Sequence, residues 1–200
     1  MINCILAGVG GQGTVLASKL IAQSALDQGK QVRTAETIGM AQRGGCVVSH
    51  VRIGEEMIHS PLIPLKSADV LIGFEPAEAV RSLAYLKDGG TVIVSQKAIK
   101  PITDSLSSTD YDGDEMLKYL GSHIKHLIVV DGEAIFAACG STKVLNIALL
   151  GAAISTGVLG ISMEDIEGTI NKKLASTFIQ MNLKALQAGA QTVLKEKDLG

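Results

Sequence analysis

The chain has 200 residues, a net charge of −2 and 46% hydrophobic residues, with aromatic residues at only 3%. This length suits one domain with a proper core, and the near-neutral charge gives no electrostatic reason to expect a nucleic-acid or membrane-surface partner. Small and aliphatic residues supply the apolarity, as a parallel sheet buried between helices requires.

Strands and helices alternate along most of the chain. Short apolar runs predict strands at Ile2–Ala7, Gln31–Ala35, Cys46–Ile53, Val70–Phe74, Thr91–Ser95 and His126–Val130, and Met57–His59 is expected to pair with Cys46–Ile53 across a turn. Helical spacing predicts helices at Gly11–Gln28, Pro76–Leu86, Asp112 to about Leu120, and roughly Asn171 to Ala188, with a cap at Ser162–Asp165. Asp88–Gly90 is predicted to be a turn.

This alternation predicts an α/β protein with a three-layer, doubly wound, mostly parallel, Rossmann-like sheet. We expect one domain over residues 1–200, with extra C-terminal helices over about 141–200. The uncharged run Val144–Ile161 approaches membrane-spanning length, but its polar residues and glycines favour a buried core helix.

Cys4, Cys46 and Cys139 are far apart and form no C-x-x-C pair, which favours a reducing cytoplasm. The N-terminus lacks the basic region of a signal peptide, so no secretion is predicted. None of the four histidines has the spacing of a helical metal site, and no metal ligand is assigned.

A glycine-rich turn follows the first strand. Gly8, Gly10 and Gly13 have the G-x-G-x-x-G spacing, with Gly11 and Gln12 between them. Strand, glycine turn and helix together make an anion site of backbone N–H groups. Glu36 then follows the second strand where a dinucleotide site has its ribose-binding acid. The alternative is that the glycines serve only a tight turn and close packing.

Gln12 is unusual in such a turn, which small or apolar residues usually fill. Its side-chain amide could donate to or accept from a molecule docked over the turn. A second glycine-rich stretch, "ETIGMAQRGGCVVSHVRIG", begins at Glu36 and contains Met40, Arg43, Gly44 and Gly45. An arginine beside two flexible glycines suits a carboxylate or phosphate clamp, while a solvated loop arginine is the alternative.

Together, "GVGGQGTVLASKLIAQSA" and the second stretch resemble the gamma subunit of 2-oxoacid:ferredoxin oxidoreductases. Within that family, the pattern is most similar to the small (beta) subunit of indolepyruvate:ferredoxin oxidoreductase. "NIALLGAAISTGVLGIS" from Asn146 and "NLKALQAGAQ" from Asn182 resemble the C-terminal stretches of the family. Ile38 stands where the indolepyruvate type often has His, and Cys46 where it often has Ser, so the particular 2-oxoacid stays open.

The resemblance implies oxidative decarboxylation of a 2-oxoacid on thiamine diphosphate, with electrons passing through iron–sulfur clusters to ferredoxin and the acyl group to coenzyme A. Three scattered cysteines do not match a [4Fe–4S] site, and Asp112 and Asp131 lack the Gly-Asp-Gly context of a thiamine diphosphate–magnesium site. We therefore assign no catalytic residue to this chain and expect those cofactors on a catalytic (alpha) partner subunit in a hetero-oligomer. The isolated chain is expected to be inactive.

The resemblance further implies that the turn of Gly8, Gly10, Gly11, Gln12 and Gly13 lies at the subunit interface or near coenzyme A. The same applies to Glu36, Met40, Arg43, Gly44 and Gly45. Two rivals stay open: a stand-alone NAD(P)-binding oxidoreductase and a scaffold whose turn binds nothing. The first needs a catalytic set, and no Tyr-x-x-x-Lys pair is present.

Overall fold

The computed structural model describes residues 1–38, 45–99 and 111–197. Six strands form one sheet in the order β2-β3-β1-β4-β5-β6. They are β1 (Ile2–Val9), β2 (Gln31–Ile38), β3 (Cys46–Gly54), β4 (Ala68–Gly73), β5 (Leu86–Ser95) and β6 (His126–Val130). β3 is antiparallel to both of its neighbours, and the β1–β4, β4–β5 and β5–β6 pairs are parallel. The α/β fold class predicted from the sequence is confirmed.

Helices cover both faces of the sheet. They are α1 (Thr14–Asp27), α2 (Pro76–Ser82), α3 (Asp114–His123), α4 (Gly132–Cys139), α5 (Leu145–Ser155), α6 (Met163–Lys173) and α7 (Ser176–Lys197), with 3-10 turns at Leu83–Tyr85 and Thr142–Val144. Ala79 of α2 and Leu120 of α3 pack on one face. Residues of α1 and α4–α7 pack on the other. Alternating strand residues, such as Ile5 and Leu6, therefore point into different cores.

The strand predicted at Met57–His59 does not form. β3 already pairs with β1 on one edge and with β2 on the other, from Gln31↔Gly54 to Ile38↔Val47, so neither edge is open to a further strand. The segment between β3 and β4 instead contributes buried Ile58 and Ile63.

Two further boundaries differ from the predictions. The helix expected at Pro76–Leu86 ends at Ser82 and continues as a 3-10 turn. The turn expected at Asp88–Gly90 lies inside β5, where Gly89 has a φ of 73° and the register with β4 shifts. The glycines thus allow an irregularity in the strand rather than a reversal of the chain.

The C-terminal helices are partly as predicted. Ser162 and Asp165 form a reciprocal capping box at the start of α6, as expected. The single helix predicted over Asn171–Ala188 is wrong, because α6 ends at Lys173 and Leu174 is extended (φ −93°, ψ 151°) before α7 begins. Helical periodicity continues through this break and so conceals it.

α5 is the buried core helix predicted from the uncharged run: all residues from Asn146 to Ile154 are buried. It crosses α7 closely, since a Cβ on Gly151 would lie 2.0 Å from the carbonyl oxygen of Leu186. Among the described residues, no single helix is long and apolar enough to cross a membrane, although α4 and α5, bent by 116° at the turn between them, meet the length and composition criteria together.

The chain path creates a crevice at one end of the sheet. From β1 the chain runs through α1 to β2 on one side, and from β4 it runs through α2 to β5 on the other. Ligands of open α/β sheets bind where neighbouring parallel strands diverge in this way, beyond their carboxyl ends. A ligand-binding site is therefore expected at the carboxyl ends of β1 and β4.

Candidate functional site

The glycine turn joins β1 to α1, as the spacing predicted. Gly11 and Gly13 have φ values of 99° and 82°, and Gly13 is the residue that caps α1. Only glycine adopts such angles without strain. The first-turn amides of α1 begin directly after this turn, where the helix dipole favours an anion.

Gln12 locks this turn from inside. Its Oε1 accepts from the Val9 amide at 2.6 Å, and its Nε2 donates to the Phe74 carbonyl at 2.7 Å. Both ends of the side-chain amide thus bind the protein's own backbone and tie the end of β1 to the end of β4. The expectation that this amide contacts a docked molecule does not match this geometry, because internal bonds occupy it.

Close packing explains why Gly8 and Gly13 carry no side chain. A Cβ on Gly8 would lie 2.8 Å from both Gln12 Oε1 and Phe74 Cβ, and one on Gly13 would lie 2.4 Å from Asn146 Nδ2. Gly11 is different, since a Cβ there would meet no described atom within 4 Å. Gly11 therefore leaves the backbone of the turn open on its outer side.

The two glycine-rich stretches meet at this point. The Gly10 amide donates to the Gly45 carbonyl at 2.8 Å, and Val9 pairs with Cys46 in the sheet. The antiparallel direction of β3 brings the start of that strand beside the end of β1. Met40, Arg43 and Gly44 lie outside the described residues.

Glu36 does not lie where a dinucleotide site needs its acid. β3 lies between β1 and β2, which moves Glu36 two strand spacings, about 10 Å, from the strand that carries the glycine turn. Its carboxylate instead accepts a long hydrogen bond, 3.4 Å, from Ser18 of α1. The classical Rossmann order has β2 directly beside β1, so the likeness to a dinucleotide site ends at the turn.

An open cleft of about 460 Å³ lies between the glycine turn and the start of α5. Its lining comprises Gly11, Gln12, Gly13, Leu16, Phe74, Lys97, Ile99, Thr142, Lys143, Leu145 and Asn146. Lys97 and Lys143 are exposed, and with the start of α1 they give the cleft a positive character suited to an anionic group. Sequence reasoning missed these two lysines because they lie more than 80 residues from the turn.

Two buried side chains near the glycine turn carry polar atoms that are not satisfied. Thr14 Oγ1 and Asn146 Oδ1 are buried and have no hydrogen-bond partner among the described residues. Asn146 Nδ2 lies 3.5 Å from the Gly13 carbonyl, at the long limit of a hydrogen bond. Buried polar groups in proteins are nearly always paired, so such exceptions are typical of functional sites.

A second polar cluster lies beside the turn, at the start of α2. Tyr111 donates from its hydroxyl to Glu75, and Glu75 accepts from the Glu78 amide. The pKa of Tyr111 is well above its usual value, mainly because the hydroxyl is buried and, to a smaller extent, because it faces the Glu75 carboxylate. The pKa of the Cys46 thiol is raised to about 11, mainly by partial burial and, to a smaller extent, by the nearby Glu78 carboxylate. This thiol is therefore a poor nucleophile at neutral pH.

The potential metal ligands of the described residues lie apart from one another. No group of three or more His, Cys, Asp or Glu side chains among these residues can hold a metal ion. His50 is a structural residue: its Nδ1 accepts from the Ile63 amide at 3.2 Å, and its ring meets Tyr85 edge to face.

The fold and the site define an α/β protein with a glycine-rich strand–turn–helix at the switch point of its sheet. The chain belongs to the pyruvate ferredoxin/flavodoxin oxidoreductase family, whose model matches residues 3–192. The resemblance drawn from the two glycine-rich stretches is thereby confirmed.

Three similar proteins agree with this assignment. Indolepyruvate oxidoreductase subunit IorB of Archaeoglobus fulgidus is 37% identical over 189 residues, covering 94% of this chain and 93% of that protein. The pyruvate/ketoisovalerate oxidoreductases common subunit gamma of Thermococcus kodakarensis is 30% identical, covering 98% and 100%. The crystal structure of the keto/oxoacid ferredoxin oxidoreductase gamma subunit of Geobacter sulfurreducens superposes with a TM-score of 0.67 at 25% identity, covering 98% and 99%. The predicted class, a subunit of a 2-oxoacid:ferredoxin oxidoreductase, is confirmed.

Proposed function

We propose that this chain is the small subunit of an indolepyruvate-type 2-oxoacid:ferredoxin oxidoreductase. The observation that carries the proposal is the 37% identity to an indolepyruvate oxidoreductase subunit over nearly the full length of both proteins. The complex would convert a 2-oxoacid and coenzyme A to an acyl-coenzyme A and carbon dioxide, with two electrons passing to ferredoxin.

The division of labour follows from what each subunit can bind. The catalytic (alpha) subunit would hold thiamine diphosphate, magnesium and [4Fe–4S] clusters, because Cys4, Cys46 and Cys139 do not form a cluster-binding set. Residues 1–200 would form one domain of a cytoplasmic hetero-oligomer. This chain would supply a surface for the catalytic subunit and a cleft for the phosphate groups of coenzyme A.

The cleft at the glycine turn fits a phosphate group. The open backbone at Gly11, the start of α1, and Lys97 and Lys143 are the donors and charges that such a group needs. Glu36, Met40, Arg43, Gly44 and Gly45 are proposed to contact the catalytic subunit or coenzyme A, because Gly45 bonds directly to the turn.

Purification of the tagged chain from its native host tests the partnership. The eluate should contain one large subunit with bound iron, sulfide and thiamine diphosphate, and it should reduce ferredoxin when given indolepyruvate and coenzyme A. An eluate of the chain alone, or a complex that instead reduces NAD with a hydroxyacid, would contradict the proposal.

Arg43→Ala tests the second stretch within that complex. If Arg43 pairs with an acid or a phosphate at the interface, its loss should lower activity or subunit affinity by about 2 kcal/mol or more. If Arg43 is exposed in the isolated chain, the variant should keep its stability, since surface substitutions change it by about 0.5 kcal/mol or less. Unchanged activity together with unchanged affinity would show a solvated loop arginine.

A further inference from the structure

Asn146, in the first turn of α5, connects the two walls of the cleft. Its Nδ2 lies 3.5 Å from the carbonyl oxygen of Gly13, which is 133 residues earlier in the chain. The same nitrogen would lie 2.4 Å from a Cβ on Gly13. The amide therefore fills the space that the missing side chain of Gly13 leaves at the start of α1.

The other end of this amide is unsatisfied. Asn146 is 5% exposed, and its Oδ1 has no partner among the described residues, although the side chain lines the cleft. Thr14 Oγ1, at the start of α1, is buried and unpartnered in the same way. A buried, unsatisfied polar atom is costly, and proteins keep such costs mainly at functional sites.

The absence of charge on this side chain matters for an anionic ligand. An aspartate has nearly the shape of asparagine, but it would place a carboxylate oxygen where Nδ2 now faces the Gly13 carbonyl, and it would bring a negative charge to a nearly buried site. That same charge would oppose an anion in the cleft beside Lys97 and Lys143.

We propose that Asn146 is a positioning residue for an anionic ligand: it holds the start of α1 from below while keeping that end of the cleft free of negative charge. This inference rests on the proposed function and deepens it, because it concerns the same cleft. The chemistry recognised is a phosphate or pyrophosphate group, which binds at the exposed turn above the amide.

The test measures binding and stability in the same variants. Binding of coenzyme A and of inorganic pyrophosphate to the full chain is measured by calorimetry, and thermal unfolding is recorded without ligand. Asn146→Asp should bind both probes at least tenfold more weakly than the wild type at a temperature well below its own melting temperature, which is expected to fall because the carboxylate faces the Gly13 carbonyl. The loss should shrink as salt is added, because screening weakens the repulsion.

Asn182→Asp is the matched control. Asn182 is 8% exposed, its Nδ2 donates to the Phe178 carbonyl within α7, and it does not line the cleft. It should keep wild-type affinity even if its stability falls.

Three results would overturn the inference. Wild-type affinity in Asn146→Asp would show that the charge at this position is irrelevant to binding. A weaker affinity whose loss does not depend on salt would show an ordinary packing role. Absence of binding by the wild type would remove the cleft as a phosphate site, and with it the coenzyme A part of the proposed function, whereas either of the first two results would leave that part standing.

Discussion

Replacing Gln12 with alanine should destabilise the protein well beyond an ordinary surface substitution. The change removes the bonds to Val9 and Phe74, of 2.6 Å and 2.7 Å, and leaves a partly buried amide and carbonyl to find other partners. Each bond contributes about 1 to 1.5 kcal/mol net, and ordering the glutamine side chain offsets part of that. We therefore expect a loss of about 2 kcal/mol in the free energy of unfolding.

Urea unfolding followed by circular dichroism measures this loss. With a slope of about 2 kcal/mol per molar urea, the midpoint should fall by about 1 M. Gln23→Ala is the matched control, because Gln23 makes one exposed bond to Asp27 within α1 and should change stability by about 0.5 kcal/mol or less. Equal midpoints for Gln12→Ala and Gln23→Ala would refute the idea that Gln12 ties β1 to β4.

Two further predictions concern packing and pH. Gly189→Ala would place a Cβ 1.8 Å from the Ala148 carbonyl oxygen and should lower the free energy of unfolding by about 3 kcal/mol or more in the same urea assay. Gly168→Ala in α6, where a Cβ meets no described atom within 4 Å, should instead raise it by about 0.5 to 1 kcal/mol. Equal effects of the two changes would contradict the close crossing of α5 and α7. Burial lowers the pKa of His50, so below about pH 6.5 the unfolded state binds a proton that the folded state resists, and stability should fall with falling pH. His50→Asn keeps an acceptor for the Ile63 amide and should flatten this part of a stability–pH curve; an unchanged slope would assign the pH dependence to other groups.

Local signals predicted the parts of the fold that local physics determines. The strand at His126–Val130 and the strand–turn–helix around Gly8–Gly13 were predicted because apolar runs and glycine spacing depend on neighbouring residues. The position of β3 between β1 and β2 depends instead on residues far apart in the sequence. An alternating strand pattern identifies which face is buried but not which strand lies alongside, so the displacement of Glu36 from the turn could not be foreseen.

The site shows the same division. The sequence indicated the glycine turn, but not that Gln12 would bond inward or that Lys97, Lys143 and Asn146 would form the opposite wall. Those residues lie 84 to 133 positions from Gly13, and only the folded chain brings them together. The approach of the start of α5 to the glycine turn after β1 leaves no periodic pattern in the sequence of either segment.

Reconstitution of activity from separate subunits tests whether this chain is a required subunit without catalytic residues of its own. The rate of ferredoxin reduction with indolepyruvate and coenzyme A is measured for the purified large subunit alone, for this chain alone, and for their mixture at increasing amounts of this chain. We expect no turnover by this chain, little or none by the large subunit, and a rate that rises and saturates as the complex forms. A large subunit that is fully active alone, or a mixture that stays inactive with its cofactors in place, would contradict the claim.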